Sequence, residues 1–488
     1  HSMTHRPNAP LWTTLWTLVS QAAVPALLVG TLSLQPTPAI AQKPNIVFIL
    51  ADDLGRHQVG CYGNPFYETP HLDTLAAQGV KFTDAYAACP VCSPTRASIM
   101  TGKYPARLHI TDYIPGNPFP NAKLKTPDWR KELPLGEVTL AEMLSEAGYA
   151  CGHFGKWHLD DRNDAVYRPG DPGTPETQGF SDVLVTAKPD ARETAAAGAA
   201  PDYDAHNARA ITDRALAFME AHRDRPFFCH MGHNLVHQPE MEGAARIVKY
   251  TRRRDMSNER GNNPVLAAMV ETLDGQVGRV MKALDDLGLA QNTILVFFSD
   301  NGDYYGREGL KPFYGSKGDL YEGGVRMPLI VRWPGVVAPG TESAALMSSV
   351  DFFPTFAEIA GVPVRDETVD GVSVLSALRG ETPPDRGPIF WHYPHYHSLG
   401  IGPSGAVREG KYKLIEWFEK SIDGPETPGA LELYDLEADP GERNNLAASL
   451  PEKAAELHAK LAAWRKRVGA QEMSRNPEHD PERADRPH

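Results

Sequence analysis

The sequence contains little cysteine: five residues in a chain of 488, which is an odd number. A chain of this length buries enough apolar surface to fold without disulfides, and an odd count leaves at least one thiol unpaired. Cys89-Pro90-Val91-Cys92 has the spacing of a redox or zinc-binding CxxC motif. The chain has no second CxxC and no histidine pair at zinc-finger spacing, which argues against a zinc site. At least one cysteine is therefore expected to have another role.

An excess of positive charge is also absent. The chain has 49 Lys and Arg against 62 Asp and Glu, a formal net charge of -13, which argues against a nucleic-acid-binding surface. Its 42 Gly and 42 Pro are spread without a repeat, and 41% of its residues are hydrophobic. This composition is typical of a globular protein and excludes a disordered, collagenous or polytopic membrane protein.

Long uninterrupted apolar runs are missing as well, because Thr, Ser, Gln and Pro25 break the one long apolar stretch, residues 11–34. Arg6 precedes this stretch and Ala39-Ile40-Ala41 follows it, the order of a secretory signal peptide with a small-residue cleavage site. A membrane anchor is the alternative, but the broken run favours a signal peptide. We expect residues 1–41, including a two-residue cloning remnant at the start, to be removed. The mature protein would be periplasmic or secreted, with no stable membrane insertion.

Short apolar runs alternate with amphipathic stretches, a pattern typical of a mostly parallel sheet covered by helices. The clearest predicted strands are 45–51, 226–231, 293–299 and 328–332, and the clearest predicted helices are 72–78, 139–147, 205–222 and 264–287. Residues 411–418 and 430–436 alternate like antiparallel strands, and 451–468 form a predicted helix. We predict an α/β domain over 42–365, a smaller α+β subdomain over 366–470 and a polar, disordered tail over 471–488.

Polar residues follow two of the predicted strands directly. Asp52 and Asp53 come after residues 45–51, and Asp300 and Asn301 come after residues 293–299. Carboxyl ends of parallel strands share one edge of a sheet, where ligands bind. Three carboxylates and an amide suit Ca²⁺ or Mg²⁺ better than zinc. Either pair alone would indicate a helix cap or turn, but both together after buried strands favour a metal site.

The segment Cys92-Ser93-Pro94-Thr95-Arg96 has the pattern of a turn that enters a short helix. A side chain at its start would face free backbone N–H groups and the positive end of the helix dipole. Arg96, one turn later, could direct its guanidinium back at position 92. The alternative for a lone cysteine is a small buried hydrophobic residue.

These segments resemble the motifs of the type I sulfatases, members of the alkaline-phosphatase superfamily. The CxPxR signature corresponds to Cys92 to Arg96, and the amino-terminal metal motif corresponds to the run that ends at Asp52 and Asp53. Other family blocks follow in the expected order: Gly155-Lys156-Trp157-His158, His237-Gln238-Pro239, Ser299-Asp300-Asn301-Gly302 and Lys317-Gly318-Asp319-Leu320-Tyr321-Glu322-Gly323-Gly324. Six ordered blocks make accidental similarity very improbable.

The resemblance implies an alkaline-phosphatase-like α/β sandwich with a smaller carboxyl-terminal antiparallel sheet. It implies that Cys92 is oxidised to formylglycine by a formylglycine-generating enzyme. It further implies that Asp52, Asp53, Asp300 and Asn301, with the side chain at position 92, bind Ca²⁺, with Mg²⁺ less favoured. The expected activity is hydrolysis of a sulfate monoester, with a sulfated carbohydrate as substrate.

Catalytic roles also follow from the resemblance. The metal and Arg96 would favour the alkoxide of a formylglycine hydrate, which attacks sulfur. Lys156, His237 and Lys317 would bind the sulfate group, and His237 or Lys317 would assist the leaving oxygen. His158 would act as the base that releases sulfate from the modified residue. Residues His392, Tyr393, His395, Tyr396 and His397 could line a sugar pocket, bind a metal or only pack.

The sequence leaves three other functions open. A phosphonate monoester hydrolase or phosphodiesterase of the same superfamily could share the fold and the CxPxR motif. A secreted protein that binds sulfated glycans could have kept the fold and lost the chemistry. An oxidoreductase could use Cys89 and Cys92 as a reversible disulfide.

Overall fold

The structure is a computed structural model that describes residues 43–162, 164–189, 204, 206–253, 262–304, 312–383 and 385–483. The predicted signal peptide with its cleavage site lies outside these residues, and so does residue 205, where a helix is predicted to begin. Within the described part of the chain, no helix combines the length and the apolar character that a bilayer span requires.

Sixteen strands occur in the described residues. In chain order they are β1 Asn45–Ala51, β2 Val80–Phe82, β3 Ala85–Tyr86, β4 Leu124–Lys125, β5 Ala150–Gly155, β6 Asp182–Val185, β7 Phe227–Gly232, β8 Thr293–Ser299, β9 Leu329–Arg332, β10 Thr341–Ser343, β11 Met347–Ser348, β12 Ile389–Tyr393, β13 Ser404–Glu409, β14 Tyr412–Trp417, β15 Leu431–Asp435 and β16 Ser474–Arg475.

Eight of these strands form the central sheet, in the order β10-β2-β9-β8-β1-β7-β5-β6. Strands β1, β5, β6, β7 and β8 run parallel, whereas β9 pairs antiparallel with both β8 and β2. Every residue of β1 and β8 is buried, because helices cover both faces of the sheet. The mostly parallel central sheet predicted from the apolar runs is confirmed.

The α-helices that surround the sheets include long amphipathic ones and several of a single turn. They are α1 Pro70–Ala77, α2 Cys92–Thr101, α3 Pro105–Leu108, α4 Leu140–Glu146, α5 Ala208–Ala221, α6 Ala244–Thr251, α7 Pro264–Asp286, α8 Glu322–Val325, α9 Phe352–Ala360, α10 Leu375–Leu378, α11 Phe418–Ser421 and α12 Pro451–Val468. Two of them show sequence signals that fix their start. Asn263 caps α7 by accepting from two backbone N–H groups, and Thr139 with Glu142 forms a capping box at α4.

The second sheet is small and antiparallel, in the order β12-β13-β14-β15. Leu457, Leu461 and Trp464 of α12 pack on one of its faces, and Trp391 and Ile415 belong to a cluster on its other face. That second cluster also contains Tyr86 and Leu320, so the small sheet and the central-sheet region share apolar packing. The separate carboxyl-terminal antiparallel sheet implied by the resemblance is confirmed.

The tail is the part of the chain where the fold differs from its prediction. The polar residues 471–488 are predicted to be disordered, yet β16 pairs antiparallel with β4. The amide of Asn476 donates to the carbonyls of Pro120 and Ala122, which fixes the chain after the strand. The prediction is wrong for the described tail because local polarity does not report backbone pairing with a distant segment.

Candidate active site

The site lies at one edge of the central sheet, where four neighbouring strands end together. Ala51 of β1 pairs with Ser299 of β8, Leu50 pairs with Gly232 of β7, and Gly232 pairs with Gly155 of β5. A Cβ at Gly155 would lie 1.9 Å from the carbonyl oxygen of Gly232, so only glycine allows this close approach. This register brings the residues that follow each strand into one region, and the sequence predicted this for the residues after β1 and β8.

Helix α2 places Cys92 at this edge. Cys92 is its first helical residue, and Val91 before it offers no side-chain cap, so the first-turn N–H groups are not used by a capping side chain. All ten residues of the helix are buried, which holds Cys92 in a fixed position. The predicted placement of position 92 at a helix start is therefore observed.

Three aspartates converge on the Cys92 thiol. Its Sγ lies 3.4 Å from Asp52 Oδ1 and 3.7 Å from Asp53 Oδ1. Single ligand atoms from Asp52, Asp53, Cys92 and Asp300 all lie within 4.8 Å of one another. The amide nitrogen of Asn301 donates to Asp53 Oδ1 at 2.8 Å, so the side chain of the fourth predicted ligand contacts the same cluster through its nitrogen.

Three cations face these carboxylates. Lys156 Nζ contacts both oxygens of Asp52, at 3.0 and 2.8 Å, and Lys317 Nζ contacts both oxygens of Asp53, at 2.7 and 2.8 Å. The Lys317 ammonium also lies 3.4 Å from Cys92 Sγ. Arg96 donates through Nε to Asp300 Oδ2 at 2.9 Å. Arg96 thus contacts Asp300, whereas the sequence analysis expected its guanidinium to point at position 92.

Burial and these ion pairs set the pKa values. Burial alone would raise the pKa of Asp52, but Lys156, His237 and Arg96 outweigh burial and hold that pKa well below its usual value. Burial raises the pKa of Asp300 to about 7, with Asp52 adding to the shift. Burial also raises the pKa of the Cys92 thiol, despite Lys156 and Lys317. An unmodified Cys92 is therefore a neutral thiol at pH 7 and a poor nucleophile.

Two histidines complete the site. His237 Nε2 lies 3.6 Å from Asp53 Oδ2, and its Nδ1 lies 2.7 Å from the Gln238 carbonyl. His158 Nε2 lies 2.6 Å from the Ile114 carbonyl. A carbonyl only accepts hydrogen bonds, so Nε2 of His158 carries the proton and Nδ1 carries the lone pair. Burial and the nearby Lys156 lower the pKa of His158 well below its usual value, which keeps the ring neutral.

Backbone conformation singles out two of these residues. Asp53 has φ 59° and His158 has φ 60°, the left-handed region that non-glycine residues rarely adopt. Such conformations cost free energy and persist where the surrounding structure enforces them, often at functional sites. At Asp53 the backbone N–H donates to Asp300 Oδ1 at 3.2 Å, which ties the two strand ends together.

The donor set fits a hard divalent cation. Three carboxylates supply its oxygens beside the Cys92 side chain, and the Asn301 amide contacts one of them. Asn301 Oδ1 is buried and has no hydrogen-bond partner in the described part of the chain. A buried amide oxygen without a partner is costly, and a cation coordinated by that oxygen would remove the cost.

Residues 112–114 support His158 and the start of α2 through contacts that the sequence pattern did not predict. Ile114 N–H donates to Ser93 Oγ at 3.1 Å while the Ile114 carbonyl contacts His158. Asp112 accepts from the Tyr393 hydroxyl at 2.9 Å, and burial raises the pKa of this aspartate to about 7. The segment carries no periodic pattern, so only tertiary contacts reveal its place.

The five aromatic and histidine residues after position 391 divide into separate contacts. His392 bonds to the Gln471 carbonyl, Tyr393 to Asp112, and His395 to Thr111 Oγ1. Tyr396 donates to Glu419, and the His397 ring lies 6.1 Å from that of Tyr113. In the described chain they form no metal-ligating group, and packing with hydrogen bonding accounts for most of them.

The cysteines show no pairing. All five lie in the described residues and all five are free thiols, Cys89 and Cys92 included. The Cys89 Sγ is directed to the Thr111 carbonyl at 4.0 Å, while Cys92 faces the carboxylates. Cys89 and Cys92 therefore lie in different environments and are not joined in a disulfide.

Comparison with known proteins gives the family. The family model described as Sulfatase matches residues 44–362, and the one described as N-sulphoglucosamine sulphohydrolase, C-terminal, matches residues 313–467. Human arylsulfatase A is 35% identical over 451 residues, covering 84% of each chain. The N-acetylgalactosamine-6-O-sulfatase of Bacteroides thetaiotaomicron is 31% identical, covering 88% of this chain and 94% of the relative.

A solved structure gives the same result for the fold. A Bacteroides thetaiotaomicron protein from work on the metabolism of multiple glycosaminoglycans superposes with a TM-score of 0.69 at 28% identity, covering 87% of this chain and 100% of its own. Both the sequence relatives and this structure align along most of the chain. We conclude that the chain belongs to the sulfatase family and is a sulfuric ester hydrolase.

Proposed function

We propose that this sulfatase removes sulfate from a sulfated carbohydrate, with formylglycine at position 92 and Ca²⁺ at the aspartate cluster. The observation that carries the proposal is the position of the Cys92 side chain, which lies beside Asp52, Asp53 and Lys317 at once. A side chain held among carboxylates and cations suits an oxygen nucleophile that must attack an anionic sulfate ester.

The modification accounts for what a thiol at this position lacks. Burial keeps the Cys92 thiol protonated, so the unmodified residue offers no thiolate. Formylglycine, when hydrated, supplies two hydroxyls on one carbon, one to attack sulfur and one whose deprotonation expels sulfate. Recognition by a formylglycine-generating enzyme requires Cys92, Pro94 and Arg96 in the chain before it folds, because all three are buried afterwards.

Asp52, Asp53, Asp300 and Asn301 would hold Ca²⁺, with Mg²⁺ as the less favoured ion. The cation would act as a Lewis acid that lowers the pKa of a bound hydroxyl and balances sulfate charge. The chain itself already compensates part of the charge, because Arg96 pairs with Asp300 and thereby holds that carboxylate in place. Arg96 therefore serves as a positioning residue for the metal ligands.

Lys156, Lys317 and His237 would bind the sulfate group. Both ammonium groups are buried and within 3.0 Å of a carboxylate, so their charges are fixed before substrate arrives. Preorganised cations stabilise the charge that develops on sulfuryl and leaving-group oxygens without reorganisation. Either Lys317 or His237 would assist the leaving oxygen, because both lie beside Asp53 at the edge of the site.

His158 would be the base in the second half of the reaction. Its Nε2 proton is committed to the Ile114 carbonyl, and Nδ1 has no hydrogen-bond partner among the residues described. The lone pair on Nδ1 is thus available to take a proton from a neighbouring hydroxyl. The neutral state that this role requires is supported by the lowered pKa of His158.

A carbohydrate substrate is supported by the relatives. One of them, at 31% identity, is a bacterial N-acetylgalactosamine-6-O-sulfatase. Small aryl sulfates would be side substrates, because arylsulfatase A is a similarly close relative. Export to the periplasm or the medium, after cleavage behind Ala41, is the part of the proposal supported by the amino-terminal sequence alone.

The first experiment tests the modification. The protein is produced with a formylglycine-generating enzyme, and the mass of the tryptic peptide 82–96 is measured. We expect an aldehyde in place of the thiol at position 92 and an intact thiol at Cys89 in the same peptide. A Cys89→Ala variant is the matched control and should keep both the modification and the activity. An unmodified Cys92 in catalytically active protein would contradict the proposal.

The second experiment tests the metal and the substrate class together. We expect chelation to remove turnover of 4-nitrophenyl sulfate and to lower the melting temperature, and Ca²⁺ to restore both. Turnover of bis(4-nitrophenyl) phosphate and of a phosphonate monoester is measured alongside. Faster turnover of either phosphorus substrate than of any sulfate ester would overturn the proposed preference.

A further inference from the structure

A pocket of about 550 Å³ lies beside the segment that supports His158. Three stretches of chain line it: residues 115–120, residues 125–129 with Lys131, and the tail residues 476–478; His395 lines it as well. Its volume falls in the range of about 300 to 1,000 Å³ that small-molecule sites occupy. None of the catalytic residues proposed above lines this pocket, so it is a separate feature of the molecule.

The pocket and the catalytic centre share one short segment. Ile114 contacts Ser93 through its N–H and His158 through its carbonyl, and the next residue, Pro115, is in the pocket wall. Tyr113, which precedes them, is half-buried and close enough to Lys317 for the ammonium to influence its pKa. Residues 113–115 therefore lie between the catalytic centre and the pocket.

The tail contributes the far wall. Strand β16 pairs with β4, and the amide of Asn476 donates to the carbonyls of Pro120 and Ala122 at 2.9 and 2.8 Å. Asn121 adds a further bond, from its side-chain amide to the Asp480 carbonyl at 3.1 Å. None of these contacts involves the proposed catalytic residues. The ordered tail instead forms part of the pocket wall.

The lining combines aromatic rings with charges of both signs. Trp129 and Phe119 supply apolar ring faces, Lys125 and Lys131 supply two cations, and Asp128 and Glu478 supply two carboxylates. The pocket thus offers donors and acceptors without net charge, which suits a ligand rich in hydroxyl groups and poor in charge.

Trp129 is held in a fixed orientation. Lys131 Nζ lies 3.2 Å from the centre of the indole ring and donates to the Pro115 carbonyl at 2.7 Å. The His395 ring meets the indole edge at 5.5 Å between centroids. A half-buried aromatic ring that is already oriented costs little entropy when a ligand packs against it.

We propose that this pocket, the Trp129 pocket, binds an uncharged sugar ring that is linked to the sulfated ring in the catalytic centre. The apolar C–H face of a pyranose packs on aromatic side chains, while its hydroxyls pair with the surrounding lysine, carboxylate and amide groups. The enzyme would then prefer oligosaccharides to single sulfated sugars. This proposal rests on the proposed carbohydrate substrate and adds a second recognition site to it.

The test measures how substrate length and Trp129 act together. Binding is measured by calorimetry with Cys92→Ser protein, using hexasaccharides from κ-carrageenan and from keratan sulfate, in which uncharged rings can neighbour sulfated ones, with the matching sulfated monosaccharide as the short ligand. In parallel, turnover of 4-nitrophenyl sulfate is measured in modified enzyme. The variants are Trp129→Ala, Trp129→Phe and Glu478→Ala, with Lys282→Ala on the exposed face of α7 as the matched surface control.

We expect at least one hexasaccharide to bind more tightly than the monosaccharide. Trp129→Ala should weaken its binding by about 10-fold, Trp129→Phe should restore most of the loss and Glu478→Ala should cost about 3-fold. Turnover of 4-nitrophenyl sulfate should stay unchanged in every one of these variants, because that substrate is too short to reach the pocket.

Two results would overturn the pocket proposal. One is that no hexasaccharide binds more tightly than the monosaccharide, and the other is that Trp129→Ala binds the best hexasaccharide as well as its parent does. Failure of the proposed function is recognised separately. In that case modified enzyme releases no sulfate from any probe, even if hexasaccharide binding still depends on Trp129.

Discussion

Two clusters of buried charged residues in this molecule have similar composition but a different arrangement of side chains. In the catalytic centre three aspartates face two lysines and an arginine. At the junction with the small sheet, Lys413 lies between Glu322 at 2.8 Å and Glu442 at 3.1 Å. Arg408 and Arg326 extend this second cluster to Asp84. Both clusters are almost completely removed from solvent.

The two clusters differ in how completely their polar atoms are paired with one another. In the junction cluster the single lysine bridges both glutamates, and the backbone N–H of Glu322 donates to Glu442 at 2.6 Å. Burial raises the pKa of Glu442 to about 8, whereas Lys413 and Arg326 overcome burial and lower that of Glu322 to about 2. The two glutamates thus share one lysine, and they are paired without any ligand.

The catalytic centre has side-chain atoms that are available to bind a ligand. The buried Asn301 Oδ1 has no partner among the described residues, and ligand atoms of four side chains approach one point at a sheet edge. A reactive site therefore differs from a structural one because its ligand atoms converge on one point. Burial of charge alone does not distinguish the two. Identical substitutions in the two clusters test this distinction.

Lys413→Met should have the largest effect on stability. Removing the lysine that Glu322 and Glu442 share breaks two buried ion pairs, which costs about 3 to 5 kcal/mol. Denaturant unfolding measures the loss, and turnover per folded molecule should remain near that of the parent. If Lys413→Met left stability unchanged and reduced turnover, the claim that this cluster is structural and the other reactive would be wrong.

Lys317→Met should act on turnover instead. The ammonium is proposed to stabilise charge on the sulfate ester, and removing one such donor costs about 10²- to 10³-fold in kcat. Its partner Asp53 keeps contacts with Asn301 at 2.8 Å and with His237 at 3.6 Å, so folding should be affected less than by Lys413→Met.

The comparison is made in Ca²⁺ and repeated in chelator, with unfolding and 4-nitrophenyl sulfate turnover measured on the same samples. With Ca²⁺ bound at Asp53, the stability difference between Lys317→Met and its parent should shrink. A Lys317→Met enzyme with parental kcat would remove Lys317 from the proposed mechanism.

The fold and the reactive edge are largely predictable from the sequence, for a local reason. Strands β1 and β8 have the predicted bounds because both are continuous apolar runs that end at polar residues. The residues that follow these two strands can therefore be assigned to one sheet edge from the amino-acid pattern alone. Strand β5 is missed by the same reasoning because its sequence, ACGHFG, lacks the β-branched residues that mark a strand.

The parts that are not predictable depend on contacts between distant segments. Lys413 lies in an alternating strand where a polar residue normally faces solvent, yet its ammonium is fully buried against Glu322, 91 positions before it, and against Glu442. Ile114 acts through its backbone carbonyl, which no side-chain pattern reports. The described tail is mostly polar and is ordered by its pairing with β4 and by the burial of Met473 against Leu124 and Phe418.

A third kind of buried polar residue sharpens the comparison further. His233 is completely buried, and in the described chain neither ring nitrogen has a hydrogen-bond partner. Burial is the one cause that lowers its pKa, from 6.5 to about 4. Because the unfolded chain binds a proton that the folded protein does not, His233 makes stability fall as pH decreases below 6.5.

His233→Leu should remove this dependence while it leaves the charged clusters intact. Between pH 6 and pH 4 its free energy of unfolding should fall less steeply than that of the parent, by about 1.4 kcal/mol per pH unit. At pH 7 the variant should be as stable as the parent or slightly more stable, because a buried imidazole without partners gives way to a leucine of similar size. Denaturant unfolding across this pH range measures both, and parallel stability curves for the two proteins would show that His233 titrates alike in the folded and unfolded chains. His233 is buried but has no converging partners, so it contributes only to the pH dependence of stability. Cys92 is buried to the same degree, but it lies among converging side chains.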